Sequence, residues 1–336
     1  MTTDAHSTTA MEPPAIGEFA FDRFATGPVP APLRSIGASE LRVLPLALNG
    51  KAFGETMDAA TAEQVLDRWQ AEGGDFLDTA DVYAQGRSEQ IIGNWLRTRG
   101  NRDRFVLATK VGKSPEFPGL RGAVLTEAVH ASLRRLQVET IDLLYLHIDD
   151  ESVEFDETLL AVDELIRSGK VRHFGGSDHT GNRLIEARIA MAQLGIAPMV
   201  ALQNQYNLLH REEYEGGLAH VAQQQGLGVM PRYALAGGFL TGRYRRRSDL
   251  APAVRGTPFA KYLTRRGLRV LDTLESVAAA HETTPAAIAI AWLLTRPGVV
   301  APVVSVSGPD EVAEAISSVR VTLTRQQAAE LDRVSS

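Results

Sequence analysis

Four side chains with complementary acid–base chemistry end short apolar runs of this chain. Asp78 and Tyr83 lie in FLDTADVY, Lys110 ends FVLATK, and His147 ends LLYLH. They supply a carboxylate, a phenol, an ammonium and an imidazole. A phenol has a reference pKa of about 10, but a nearby ammonium favours the phenolate and lowers that value. Together the four groups can protonate a carbonyl oxygen while a hydride arrives from elsewhere. Taken singly, Tyr83 would be a capping aromatic and His147 a satisfied core residue.

The apolar runs that carry these residues are predicted strands. From Leu44 onward such runs alternate with segments of helical period. The predicted strands are 44–50, 75–80, 104–110, 140–147, 170–177, 198–203, 227–233 and 299–307. The predicted helices are 61–73, 88–100, 123–136, 156–168, 180–194, 211–225, 265–281 and 309–318. In the first helix, Thr61 is in the position of an N-cap and Gly73 in that of a stop.

Strict alternation of strands and helices predicts an α/β fold with a parallel sheet. The strands are almost continuously apolar, as expected for strands covered on both faces. Eight units favour a closed (β/α)8 TIM barrel over an open doubly wound sheet. We predict one barrel domain over 35–336, preceded by a flexible extension over 1–34. In such a barrel, catalytic residues lie at the carboxyl ends of the strands, where all four side chains fall.

Composition and charge exclude several classes of protein. The 336 residues carry a net charge of -6, so no nucleic-acid footprint is indicated. The absence of cysteine rules out disulfides, thiolate metal sites and a cysteine nucleophile, and fits a cytoplasmic protein. We see no signal peptide, no apolar run as long as a membrane span, and no persuasive metal site. The sequence therefore predicts a cytoplasmic protein without nucleic-acid or membrane partners.

The same motifs, in order, resemble the aldo-keto reductases. The resemblance rests on DTADVY followed by SEQIIG, then ATKVG, YLH, FGGSD, LQNQYNLLHRE and LAGGFLTGRY, and it runs from Leu41 to Val334. It implies a (β/α)8 barrel that binds a nicotinamide dinucleotide without a Rossmann fold. The chain indeed lacks a G-x-G-x-x-G turn between a strand and a helix.

The resemblance also implies roles for individual residues. The general acid falls on Tyr83, with Asp78, Lys110 and His147 as its partners. Ser177, Asp178 and Gln203 match the group that holds the nicotinamide carboxamide. The positions implied for the rest of the cofactor are Arg232, Tyr233, Leu235, Ala236, Gly238, Arg243, Ser307 and Glu311. Of these, Leu235, Ala236 and Gly238 match the loop that wraps the pyrophosphate, with Arg243 as its basic residue.

Three departures from the family pattern concern the cofactor. Asp178 replaces the usual Asn and, when ionised, can accept a hydrogen bond from the carboxamide but cannot donate one. Arg232 stands where many relatives have an aromatic residue that stacks on the nicotinamide, so either Tyr233 or Arg232 itself takes that place. Glu311 puts a carboxylate near the adenosine, where it opposes a 2′-phosphate. We expect NADPH, with NADH as the alternative.

The sequence therefore predicts an NAD(P)H-dependent reductase of a small aldehyde or ketone. Two alternatives remain open at this point. One is a nucleotide-binding regulatory subunit with little turnover, favoured only by the N-terminal extension. The other is a reductase dedicated to one keto-sugar or polyketide ketone, which the loops at 111–123 and 243–262 would decide. The oligomeric state is not indicated.

Overall fold

A computed structural model describes residues 32–246, 249 and 258–336 of the chain. Nearly all of the predicted extension over 1–34, and positions 247–248 and 250–257 of the long loop, lie outside the described residues. The first described elements form an antiparallel hairpin, β1 (Arg34–Ser35) and β2 (Arg42–Val43). Arg34, at the edge of the predicted extension, donates hydrogen bonds to the carbonyls of Leu294 and Val299.

Eight parallel strands follow the hairpin and form one sheet. They are β3 (Ala47–Asn49), β4 (Phe76–Asp78), β5 (Val106–Val111), β6 (Ile141–Leu146), β7 (Val171–Ser177), β8 (Ala201–Gln203), β9 (Gly228–Val229) and β10 (Val303–Val304). Their spatial order is β10-β3-β4-β5-β6-β7-β8-β9. The sheet closes on itself beside β9, where Val229 bridges Val299 and the Val303 amide donates to the Pro231 carbonyl over 2.9 Å. The predicted (β/α)8 barrel is confirmed.

Helices surround the barrel on its outer face. They are α1 (Ala59–Ala71), α2 (Arg87–Arg99), α3 (Gly122–Leu136), α4 (Phe155–Arg167), α5 (Gly181–Leu194), α6 (Glu212–Glu215), α7 (Gly217–Gln224), α8 (Arg265–Ala280), α9 (Pro285–Leu294), α10 (Asp310–Ser317) and α11 (Arg325–Ser335). Within the described ranges, no single helix is long and apolar enough to cross a membrane, and α8 and α9 satisfy these measures only as a pair bent by 93°.

Several helix boundaries differ from the predicted ones for identifiable reasons. The N-cap of α1 is Asp58, whose carboxylate accepts from the Thr61 amide over 2.8 Å, so the predicted cap at Thr61 is wrong. The predicted stop at Gly73 is confirmed, since Gly73 follows the helix with φ of 89°. The segment predicted as one helix over 211–225 is interrupted at Gly216, which has φ −76° and ψ −136°.

Alternation along the strands explains how the barrel positions polar side chains. The barrel interior contains Phe76 of β4, Ala108 of β5, and Leu143 and Tyr145 of β6, all fully buried. Because side chains two residues apart share a face of a strand, Asp78 and Lys110 face the same interior. His147 follows in the same register just after β6. The apolar side chains packed beneath them in the barrel thus determine where along the barrel axis the polar side chains lie.

Candidate active site

An ion pair between two strands lies at the centre of the site. Lys110 Nζ donates to Asp78 Oδ1 over 2.5 Å and to the Thr79 carbonyl over 2.7 Å. Gln203 Nε2, from β8, donates to the other carboxylate oxygen of Asp78 over 2.8 Å. Both charged side chains are at most 1% exposed. Burial alone would lower the pKa of Lys110, but the Asp78 carboxylate and Tyr83 outweigh burial and hold that pKa above its usual value. Lys110 is therefore an ammonium at neutral pH.

Tyr83 lies directly above this ion pair. Lys110 Nζ is 5.1 Å from the centre of the Tyr83 ring, and the rings of Tyr83 and His147 are 6.1 Å apart at an interplanar angle of 82°. After Tyr83 the backbone is left-handed at Ala84, Gln85 and Gly86, with φ of 47°, 57° and 84°. Two consecutive non-glycine residues in this region are costly and are commonly found at functional sites. This turn directs the chain from β4 into α2 while leaving the phenol in the groove.

His147 is only 7% exposed and is held neutral. Burial, together with the positive charges of Lys110, Lys113, Arg232 and Lys51, lowers its pKa to about 2. Its Nδ1 is buried and has no hydrogen-bond partner among the described residues. Buried N–H groups without a partner are rarer than buried acceptors without one, so we assign the proton to Nε2 and leave Nδ1 as the acceptor. His147 is then a neutral hydrogen-bond donor.

The depressed pKa of His147 predicts an acid-sensitive stability contribution. An unfolded histidine binds a proton below about pH 6.5, whereas folded His147 does so only near pH 2. Between these values the unfolded state holds more protons, so the free energy of unfolding falls as the pH is lowered from 6.5. The fall is at most about 1.4 kcal/mol per pH unit. Between pH 6.5 and pH 4.5, we expect the free energy of unfolding of His147→Asn to fall by about 2 kcal/mol less than that of the parent. Urea unfolding at the two pH values provides the measurement.

Comparison with the variant is needed because two other groups oppose this effect. Burial raises the pKa of Asp75 to about 6 and, with the nearby charge of Glu89, that of Asp81 to about 7. Both carboxyls bind more protons in the folded state below these values and add stability as the pH falls. They are present in parent and variant alike, so the difference isolates His147. Equal acid sensitivity of the two proteins would show that His147 is not held neutral.

A long groove of about 1650 Å³ runs across the carboxyl ends of the strands. Of the residues predicted from the sequence, those that line it are Tyr83, His147, Gln203, Arg232, Tyr233, Leu235, Gly238, Arg243, Ser307 and Glu311. Asp78, Lys110, Ser177, Asp178 and Ala236 are not part of the lining. The structure thus brings ten of the fifteen predicted positions to one groove, and Asp78 and Lys110 are buried below it.

The predicted carboxamide-binding residues are engaged with one another or with cations. The Ser177 hydroxyl donates to the Gln203 carbonyl over 2.9 Å, which ties β7 to β8. Asp178 has φ of 59° and accepts from Arg232 through Nη2 and Nε, over 2.6 and 3.0 Å. Its second oxygen is 3.2 Å from Lys113 Nζ. Asp178 therefore bridges Arg232 and Lys113, and the Arg232 guanidinium in turn lies 5.0 Å from the centre of the Tyr233 ring.

The loop after β9 is a tight turn that exposes backbone to the groove. Gly237 and Gly238 have φ of 68° and 95°, and a Cβ added at Gly238 would meet open space. At the far end of the groove, Arg243 pairs with Glu311 Oε1, and Glu311 Oε2 accepts from the Ser307 amide over 2.8 Å. Burial raises the pKa of Glu311, but Arg243 and Ser307 more than offset it and keep that pKa below its usual value. The Arg243–Glu311 pair is therefore ionised.

Sequence reasoning missed several charged residues of the groove. Lys51 follows β3 and Lys113 follows β5, so their place at the carboxyl ends of strands was a usable signal. Asp58 and Glu314 also line the groove, through contacts that only the folded chain creates. Asp58 is the N-cap of α1, and Glu314 accepts from the Thr284 hydroxyl that caps α9.

Comparison with known proteins agrees with the geometry. A family model described as the aldo/keto reductase family matches residues 46–336. The chain is 29% identical to a probable voltage-gated potassium channel subunit beta of Arabidopsis thaliana, over 86% of this chain and 91% of that protein. It is 29% identical to norsolorinic acid reductase B of Dothistroma septosporum, over 88% and 79%. It is 27% identical to an aryl-alcohol dehydrogenase of Pestalotiopsis microspora, over 88% and 80%.

Proposed function

The chain belongs to the aldo/keto reductase family, and on that premise we propose that it reduces an aldehyde or ketone to an alcohol with a nicotinamide dinucleotide. The observation that carries the proposal is the placement of the Tyr83 phenol between the buried Lys110–Asp78 pair and the neutral His147 imidazole. These are the groups that a carbonyl oxygen requires when its carbon accepts a hydride: a proton donor, a second hydrogen-bond donor and a nearby positive charge.

The groove fits a dinucleotide in size and in its donors. It extends from Tyr83 to Glu311, and the backbone at Gly238 is open to close approach by a phosphate. We propose that Gln203 and Ser177 lie beside the nicotinamide, that residues 235–238 and Arg243 hold the pyrophosphate, and that Ser307 and Glu311 lie beside the adenosine ribose. When bound, the dinucleotide supplies the hydride for the carbonyl carbon.

The chain's own residues then handle the proton. Tyr83 donates its phenolic proton to the carbonyl oxygen, and the Lys110 ammonium stabilises the phenolate that remains. Asp78 holds Lys110 in place through the 2.5 Å bond, and Gln203 fixes the other oxygen of Asp78. The Nε2–H of His147 donates to the same carbonyl oxygen and orients the substrate. Because His147 is neutral, it serves as a hydrogen-bond donor and Tyr83 as the acid. The same site permits the reverse oxidation.

A cofactor titration followed by a carbonyl screen tests the proposal. Trp292 in α9 is a suitable reporter, because Ala287 and Ile290 of the same helix line the groove. We expect saturable quenching of tryptophan emission by NADPH or NADH, then carbonyl-dependent loss of the reduced cofactor's absorbance. Absence of quenching by both dinucleotides would overturn the proposal.

Preference between NADPH and NADH depends on Glu311. We retain NADPH as the proposed cofactor, with NADH as the alternative. Arg243, which pairs with Glu311, is a cation that can bind the 2′-phosphate of NADPH. We expect Glu311→Gln to lower the Kd for NADPH about tenfold, since the change removes a carboxylate and frees Arg243 for a 2′-phosphate. The Kd for NADH should change less than twofold. Tryptophan quenching by each cofactor provides the measurement.

The matched control for this variant is Glu275→Gln. Glu275 also pairs with an arginine of the long loop, Arg245, but does not line the groove. We expect the control to bind both cofactors as the parent does. If Glu311→Gln binds NADPH no more tightly than the control does, Glu311 does not oppose a 2′-phosphate.

A regulatory subunit is the second candidate function, because one relative is named a potassium channel subunit beta. In that case the protein would form a stoichiometric complex with another protein and would turn over slowly. Size measurement after affinity capture distinguishes the two functions.

The name of norsolorinic acid reductase B similarly supports a reductase dedicated to one biosynthetic ketone. The cytoplasm stays the proposed compartment, on the cysteine-free composition.

A further inference from the structure

The catalytic end of the groove has a surplus of positive charge. The largest charges acting on His147 are Lys110, Lys113, Arg232 and Lys51, all of them cations. Two carboxylates pair with this group: Asp78 with Lys110, and Asp178 with both Lys113 and Arg232. Lys51 makes no ion pair with a described carboxylate. Four cations thus face two carboxylates; Glu55 and Arg87 also line the groove and carry opposite charges, so the surplus among these residues is two positive charges.

These uncompensated cations lie on the substrate side of the groove. Lys51 follows β3 and Lys113 follows β5, the two strands that flank β4, which leads to Tyr83. The positions proposed for the cofactor's phosphates are in the loop after β9, and those for its adenosine are in the loop after β10. Lys113 therefore lies across the barrel mouth from the loop after β9, whereas Lys51 follows β3, which pairs with β10 and is two strands from β9.

The opposite end of the groove has the reverse charge balance. Asp58, Glu311 and Glu314 line it around α1 and α10, with Arg243 as the cation paired there. Besides the pyrophosphate position proposed at residues 235–238 and Arg243, the described groove favours an anion at its catalytic end. Lys51 is exposed and Lys113 is about one-third exposed, so both ammonium groups are accessible to a ligand.

We infer that the carbonyl substrate carries an anionic group, a carboxylate or a phosphate, that Lys51 and the Lys113–Asp178–Arg232 cluster bind while its carbonyl lies at Tyr83 and His147. This inference rests on the proposed function and names the substrate class. Opposite charges at close range stabilise the complex; a carboxylate would neutralise one of the two surplus charges and a phosphate nearly both. The interaction is the same before and after hydride transfer, so it acts on KM more than on kcat.

A pair of matched aldehydes tests this inference. 4-Formylbenzoate and 4-formylbenzamide have nearly the same shape, but the first is an anion and the second is neutral. We expect the parent protein to have a higher kcat/KM for the benzoate, mostly through KM. In Lys51→Met, which keeps the apolar stem, the benzoate-to-benzamide ratio should fall about tenfold. Lys113→Met should lower the ratio as well, and added salt should lower it in the parent because it screens exposed charges.

The control and the binding measurement separate the two proposals. Lys170→Met is the matched control, since Lys170 immediately precedes β7 at the opposite end of the barrel; its ratio should equal the parent's. A calorimetric titration with both aldehydes accompanies the kinetics. Turnover of both aldehydes with the ratio unchanged in Lys51→Met and Lys113→Met overturns the inference and leaves the reductase proposal intact. Preferential binding of the benzoate without turnover supports the anion site and overturns the reductase. If the parent protein neither turns over the two aldehydes nor binds the benzoate preferentially, both the anion site and the reductase proposal are overturned.

Discussion

Tyr83→Phe is expected to lower kcat for carbonyl reduction by about three orders of magnitude. The change removes the phenolic hydroxyl and nothing else, so it deletes the proton donor while the ring stays above Lys110. General acid catalysis contributes roughly 10²- to 10⁴-fold to a rate. His147 is neutral, with a pKa of about 2, and its N–H is too weak an acid to substitute. Steady-state kinetics with an aldehyde that the parent protein reduces provides the measurement.

Cofactor binding is the control for this variant. Tyr83 is proposed to act on the substrate oxygen, so the Kd for the preferred dinucleotide, measured by tryptophan quenching, should stay within about twofold of the parent value. A variant that keeps its turnover would falsify the assignment of Tyr83 as the acid. A variant that loses cofactor binding along with turnover would contradict the separation of the two roles.

Lys110→Met is expected to lower the free energy of unfolding by about 3–5 kcal/mol and to abolish turnover. Methionine leaves the Asp78 carboxylate without its cation at a position that is 0% exposed. Removing one partner of a buried ion pair is strongly destabilising because it leaves a buried charge uncompensated. Gln203 still donates to Asp78, and this single neutral donor replaces only part of the lost interaction. Chemical unfolding and steady-state kinetics measure the two effects.

The double variant Asp78→Asn with Lys110→Met distinguishes structure from catalysis. It removes both charges, and asparagine keeps an acceptor for the Gln203 amide. We expect it to recover a large part of the stability lost in Lys110→Met, because no buried charge remains. Turnover should stay abolished, since the positive charge beside the Tyr83 phenolate is still missing. Recovery of turnover in the double variant would show that Lys110 has only a structural role.

Much of the fold was predictable because parallel strands covered on both faces leave a plain signal in the sequence. Runs such as LLYLH and FVLATK are mostly apolar before the ionisable residue that ends them, which placed Lys110 and His147 at the carboxyl ends of their strands. Two helices were missed for physical reasons. α9 is apolar on every side, since all but its ends are buried, and therefore shows no amphipathic period. α11 begins with a capping box of Thr324 and Gln327 that was not recognised.

Charge pairing across the groove was less accessible from the sequence. The departures at Asp178 and Arg232 were noted as separate substitutions, but in the structure they are partners, 2.6 Å apart. The same holds for Arg243 and Glu311, which are 68 residues apart along the chain. Such pairs depend on the relative position of loops from different strands, which local patterns do not determine. The roles of the individual site residues stay predictions until the variants above are measured.

The hairpin of β1 and β2 has a consequence for the order in which the chain can fold during synthesis. Arg34 donates to the carbonyl of Val299, 265 residues further along the chain, and a Cβ at Gly37 would collide with the backbone of Val200 and Gly226. The first segment of the barrel to leave the ribosome thus has to wait for nearly the last. At about 5–20 residues per second, that interval is roughly 13 to 53 seconds. During that time the apolar side chains of the hairpin lack the partners that bury them in the folded barrel.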